Sequence, residues 1–181
     1  PGAADSWDLS LFYGEEKQLR HVTASARRVP QEIYSKVIED LVVPCVDVLL
    51  EAADGHFLLV VRRDEPMAGQ AWLIGGRMWK GETFFDAAAR KVHEEVGLRP
   101  ESLRPGSVLG VWNTFFNATV HQRAAVAADV AGPATQTVNV VVHMTAPELA
   151  SGSTAELSGV GMIGDAQVVV DERHTGIRWV Q

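Results

Sequence analysis

Two adjacent carboxylates, Glu94 and Glu95, follow a glycine pair, Gly75-Gly76, across a run that contains Arg77 and Arg90. Carboxylates held against a glycine turn make a hard, oxygen-rich site. Such a site suits Mg²⁺ or Mn²⁺, which keep several waters and bind through one or two carboxylates plus substrate phosphates. Arg90, one helical turn before Glu94, can hold a carboxylate in place. The glycines let the backbone come close to a metal or a phosphate. The plain structural alternative is a salt-bridged surface helix, with Asp86–Arg90, Arg90–Glu94 and Lys91–Glu95 as i,i+4 pairs.

These residues need a helix and a turn to position them. Thr83 is a good N-cap, and Asp86 three residues later completes a capping-box pattern. Phe85, Ala88, Val92 and Val96 recur at helical spacing and form one apolar face, with Glu94 and Glu95 on the opposite one. Gly97 fits the residue that ends a helix in the left-handed conformation. Upstream, Pro30 suits the first turn of a helix running to about Asp40, with Ile33, Val37 and Leu41 on one face. Val42 to Leu50 and His56 to Arg62 read as two strands around the Asp54-Gly55 turn, a hairpin. A short strand, Trp72 to Ile74, leads into the glycine pair. Downstream, Val108 to Phe116, Val138 to Met144 and Ile177 to Val180 read as strands. Arg99 to Ser107 reads as a loop, Asn117 to Pro133 as a long connection, and Thr145 to Gly164 as loop with a short helix. Strands, one central helix, then more strands predict an α/β (α+β) sandwich with a mixed sheet.

The organisation expected is an N-terminal arm over 1–29 and one domain over 30–181. The arm, with its aromatic run from Trp7 to Tyr13, is expected to pack on the body or on a second subunit as a homodimer, a disordered tail being the alternative. No apolar run reaches the roughly 20 residues of a membrane span, and no signal-peptide pattern opens the chain. The single cysteine, Cys45, rules out an intramolecular disulfide and fits a reducing cytoplasm; its Val-rich surroundings predict a buried, inert thiol. A net charge of −7 argues against broad nucleic-acid binding. An anionic nucleotide then needs local arginines and a metal.

The spacing resembles the Nudix hydrolase superfamily. Its box reads Gly, five residues, Glu, seven residues, then Arg-Glu-apolar-any-Glu-Glu-any-Gly-apolar. Gly76, Glu82, Arg90, Val92, Glu94, Glu95, Gly97 and Leu98 fit; Lys91 stands where the box has its first Glu after Arg. The fold implied is an α/β/α sandwich. Such proteins commonly carry a final helix, and this chain ends at Gln181. Either that helix is missing or the segment from Pro30 to Asp40 covers the same sheet face.

Outside the box, Val46-Asp47-Val48, Asp54-Gly55-His56-Phe57-Leu58-Leu59, Arg63, Trp72, Gly110-Val111-Trp112 and Asp171-Glu172-Arg173-His174 … Arg178-Trp179 are similar to the GDP-mannose mannosyl hydrolase branch, which also lacks the Glu at the Lys91 position. That resemblance implies attack of water on the sugar carbon, releasing nucleoside diphosphate and free sugar. It implies metal ligation by the Gly75 carbonyl and Glu95, with Glu94 as a further carboxylate. Arg77 and Arg63 match arginines that neutralise the diphosphate, and Asp47 matches an acid that holds a sugar hydroxyl. Asn139 stands at the position of the branch's histidine base, and an asparagine cannot take a proton from water. His143 shares the strand face of Asn139 but lies roughly 13 Å along it; His121, in the long connection, is the other candidate base. The residues expected to act are therefore Arg77, Arg90 and His121 in catalysis, Asp47, Arg63 and Asn139 on substrate, and Gly75, Glu94 and Glu95 on Mg²⁺ or Mn²⁺. Three readings stay open: a nucleotide-sugar hydrolase, a pyrophosphohydrolase of a nucleoside di- or triphosphate derivative, and a non-catalytic nucleotide-binding module. Lys91 argues against the second, and Lys91 with Asn139 favours the third.

Overall fold

The computed structural model describes residues 29–64, 67–116, 135–151, 160–163 and 165–181. The elements in order are helix α1 (Gln31–Asp40), strands β1 (Val43–Ala52), β2 (Phe57–Arg62), β3 (Ala71–Trp72) and β4 (Ile74–Arg77), helix α2 (Phe84–Val96), a 3₁₀ turn (Pro100–Ser102), and strands β5 (Arg104–Phe116), β6 (Thr135–Ala146), β7 (Val160–Ile163), β8 (Ala166–Val169) and β9 (His174–Val180). Residues 1–28 of the expected arm, the long connection with His121, and residues 152–159 and 164 of the expected Thr145 to Gly164 loop lie outside the described residues.

β1 is the hub of a mixed seven-stranded sheet. Along one edge it pairs in parallel with β6, from Val43↔Thr137 to Ala52↔Ala146. Along the other edge its first half pairs with β4 and its second half with β2, both antiparallel. β5 lies outside β6, and β9 pairs with β2. β7 and β8 make a separate two-stranded sheet.

The period of two along a strand sorts β1 into two faces. Val46, Val48 and Leu50 are fully buried and join Val140, Val142, Ala88, Val92 and Val96 in the main core. α2 supplies the helical part of that core and lies against β1, β4, β6 and β8. Val43 and Cys45 point the other way and pack with Ile38, Tyr34 and Val37 of α1. The segment from Pro30 to Asp40 thus covers the second sheet face, and the fold is a Nudix-type α/β/α sandwich.

Several expectations on bounds and faces are corrected. Ile33 and Leu41 are 55% and 61% exposed. Tyr34, Val37 and Ile38, spaced by three and one, form the stripe that meets the sheet. Pro30 is the N-cap rather than part of the first turn. β4 runs through the glycine pair to Arg77, because Gly75 and Gly76 pair with Asp47 and Val46. β5 begins at Arg104 and β7 stands at Val160–Ile163, each inside an expected loop, and β8 was not expected at all. Among the described residues no helix is long and apolar enough to cross a membrane.

Candidate functional site

α2 begins as the sequence dictates. The Thr83 side chain accepts from the Asp86 backbone N–H, and the Asp86 carboxylate accepts from the Thr83 N–H. Gly97 ends the helix in the left-handed region at φ 75°. Asp86 is committed to this cap, so Arg90 turns elsewhere. Its Nε and Nη2 donate to the two oxygens of Glu82 at 2.5 and 2.9 Å, its Nη1 to Glu94 at 3.1 Å, and its Nη2 also to the Arg77 carbonyl at 3.1 Å. The guanidinium also lies over the Trp79 ring, 4.0 Å from its centre, and Glu82 Oε2 accepts from the Trp79 N–H at 2.7 Å. Arg90 therefore clamps the turn after β4 onto α2. It is a positioning residue for Arg77 and the two carboxylates.

Glu95 and Lys91 do not lie on a solvated face. Both are buried, at 4% and 7% exposure, because β4 and the segment after β8 close over that side of α2. The Lys91 ammonium sits 2.7 Å from Glu95 Oε1 and 3.1 Å from Glu94 Oε2. Burial alone would raise the Glu94 carboxyl, but Lys91 and Arg90 outweigh it and hold it below its usual range. Glu95 Oε2 accepts from the Gly75 N–H at 3.4 Å and lies 3.8 Å from His174 Nε2. His174 is buried, and its Nδ1 is 2.5 Å from Asp171 Oδ1.

Across the glycine pair lies a second polar group. Asp47 Oδ2 accepts from Asn139 Nδ2 at 2.7 Å, and Asn139 Oδ1 accepts from the Thr137 hydroxyl at 2.5 Å. Burial pushes the Asp47 carboxyl up to about 6, with Glu95 adding to the rise and the Asn139 hydrogen bond opposing it. Gly75 is required here: a Cβ would run into Asp47 Oδ1 and the Val46 carbonyl. Arg77 extends beyond, over the Tyr34 ring of α1 at 4.6 Å from its centre. Cys45 is buried as expected, its thiol raised to about 12 by burial and by Asp47.

Lys91, Glu94, Glu95 and His174 line one cleft of about 570 Å³ together with the Asp47–Asn139–Thr137 chain and Arg77. Its volume is that of a small-molecule site. Five cations (Arg62, Arg77, Arg90, Lys91, Arg173) face four carboxylates (Asp47, Asp64, Glu94, Glu95) within it. Tyr34, Trp72, Trp79 and Phe116 give it aromatic walls, with Trp72 and Phe116 in tilted contact at 6.5 Å. Of the residues singled out in the sequence, Asp47, Gly75, Arg77, Arg90, Glu94, Glu95 and Asn139 come together here. Arg63 does not line the cleft. It is exposed and donates to the His174 carbonyl at 3.3 Å, while its neighbour Arg62 takes the cleft position. His143 is bound to Glu51 at 2.7 Å, away from the cleft. His121 lies outside the described residues.

His174 was missed as a site residue, although Asp171-x-x-His174 ahead of a strand carries the signal of a carboxylate–imidazole turn. The expected metal donors do not fit a divalent cation as arranged. Every oxygen of Glu94 and Glu95 already has a protein partner, two of them the same ammonium. Among the described residues no group of three or more His, Cys, Asp or Glu side chains could hold a metal ion.

The NUDIX domain family matches residues 42–160. The low-salt glycan biosynthesis protein Agl8 of Haloferax volcanii is 28% identical over 92 residues, which cover 51% of this chain and 56% of that protein. The chain thus spans little more than half the length of this relative. It is also similar to the solved MutT protein from Methanosarcina mazei Go1, at 21% identity and TM-score 0.47, covering 76% of this chain and 75% of that one. The E. coli dihydroneopterin triphosphate pyrophosphohydrolase gives 23% identity and TM-score 0.48, covering 76% and 79%. Nudix hydrolases generally use divalent metals; here Lys91 lies between the two glutamates. With the family matched over most of the sheet and the whole of α2, the chain belongs to the Nudix family.

Proposed function

We propose that the chain hydrolyses a nucleoside-diphosphate sugar to the nucleoside diphosphate and the free sugar. The observation that carries this reading is that Arg77 and Lys91 line the same cleft as the buried Asp47–Asn139–Thr137 chain. Arg77 and Lys91 suit the diphosphate. The buried Asp47–Asn139–Thr137 chain suits sugar hydroxyls and the attacking water. The aromatic walls suit a nucleobase. The similarity to a glycan biosynthesis protein supports the sugar, and the resemblance to the GDP-mannose branch makes GDP-mannose the first substrate to try.

The water oxygen attacks the anomeric carbon, and the bond from that carbon to the diphosphate oxygen breaks. The electron pair leaves with the diphosphate, and Arg77 takes up its charge through paired N–H donors. The water proton passes to Asp47, whose value of about 6 suits a base near neutral pH. Asn139 positions Asp47 by its hydrogen bond. Mg²⁺ and Mn²⁺ are assayed beside a metal-free control. The test is hydrolysis in ¹⁸O-labelled water. Label in the sugar, with intact diphosphate, is the expected result. Label in phosphate, with a nucleoside monophosphate and a sugar phosphate as products, would overturn the proposal.

A further inference from the structure

We propose that the Lys91 ammonium is the resident cation of this site, so that the cleft binds the diphosphate of its nucleotide without a divalent metal. The inference rests on the diphosphate reading above for its ligand. It rests on the geometry of Lys91 for the cation.

Lys91 has a built seat. Its side chain is 8% exposed, and its Nζ meets Glu95 at 2.7 Å and Glu94 at 3.1 Å. Gly76, at φ 144°, leaves the space that the stem fills: a Cβ there would lie 3.3 Å from Lys91 Cε and 3.6 Å from Nζ. The remaining oxygens of the two carboxylates are held by Arg90 on one side and by the Gly75 N–H on the other. A metal entering between Glu94 and Glu95 must therefore expel an ammonium from between its two counter-charges. The displaced ammonium, on a side chain only 8% exposed, would lose both of its counter-charges, which is disfavoured for a buried charge. The seat is occupied by covalent attachment, and no dissolved ion competes with a tethered one on equal terms.

The same ammonium is directed at the ligand. It has three N–H donors and no acceptor. Two go to the glutamates, and Lys91 lines the cleft together with Arg77. The third donor is the one a phosphate oxygen would meet. Arg77, over the Tyr34 ring, lines the cleft as a further cation for the same anion.

Two measurements on the unmodified chain test this. The first is calorimetric titration with GDP, in excess EDTA and again in excess Mg²⁺. Affinities equal within about two-fold are expected. The second is a Mn²⁺ titration followed by electron paramagnetic resonance without nucleotide, in which no bound Mn²⁺ is expected. Lys91→Glu should reverse both, gaining bound Mn²⁺ and losing metal-free GDP affinity by about ten-fold or more. Thermal melting checks that this variant folds; if it does not, the unmodified chain still decides. Bound Mn²⁺ in the unmodified chain, or GDP binding that requires Mg²⁺, overturns the inference. If GDP binds in neither condition, the nucleotide reading and the phosphate role of Lys91 both fall. The Mn²⁺ titrations then decide separately whether Lys91 holds the cation seat.

Discussion

Asp47 and Arg77 carry opposite halves of the proposed chemistry, and each can be tested alone. The folded value of Asp47, about 6, lies above its ordinary 3.8. A base must be ionised, so kcat should rise as pH increases through about 6 and level off above it. Stability should move the other way. The folded state keeps its proton longer than the unfolded chain, so the contribution of Asp47 is fully present below the ordinary value and is lost as pH rises through about 6. The difference of about two pH units is worth up to about 3 kcal/mol. Asp47→Asn should lower kcat by about 10²–10⁴-fold and flatten the stability profile between those values. A pH profile of kcat unchanged in this variant rules Asp47 out as the base. Arg77→Ala should lower kcat by about 10²-fold, and Arg77→Lys should rescue little, because an ammonium cannot make the paired contact. A variant that keeps kcat and only raises KM would show that Arg77 merely binds.

Among the elements, α2 was the most legible in sequence, because its start and stop are chemical. Thr83, Asp86 and Gly97 do in the structure what their types imply. Thr83→Ala should cost about 1 kcal/mol and lower Tm by about 2–4 °C with kcat nearly unchanged. Gly75→Ala should behave differently: its Cβ collides with Asp47 Oδ1 and the Val46 carbonyl, so both Tm and kcat should fall. Thermal melting and steady-state kinetics on the two variants check the contrast, and a Gly75→Ala protein with normal kcat would count against a site built across β4. The burial of the polar face of α2 was not legible in sequence, for a tertiary reason. Lys91–Glu95 is legible as an i,i+4 pair, but its burial depends on β4 and on the segment where the Asp171 N–H donates to the Glu95 carbonyl. β8 escaped notice because it is four residues long and pairs only with β7, itself four residues. Arg62 and Arg63 could not be told apart, because a register shift at Val61/Arg62 decides which arginine enters the cleft.

At the scale of the whole molecule, charge selects the ligand. The chain carries a net −7, yet its cleft holds five cations against four carboxylates. The cleft is a local exception on an acidic body. A nucleotide is short enough to place its charge inside that exception. A polynucleotide would also lay phosphates along the acidic surface beyond it, where each contact repels rather than releasing counterions. Salt should therefore weaken nucleotide binding only mildly, since the few charges that meet lie in a partly desolvated cleft where screening is reduced. A fluorescent GDP analogue, followed by anisotropy, should be displaced by unlabelled GDP and not by a guanine-containing oligonucleotide at equal phosphate concentration. Displacement by the oligonucleotide, with a steep loss of its affinity on adding salt, would mean that the basic groups form a continuous track rather than a pocket. The reading of a cleft built for one small anion would then fail.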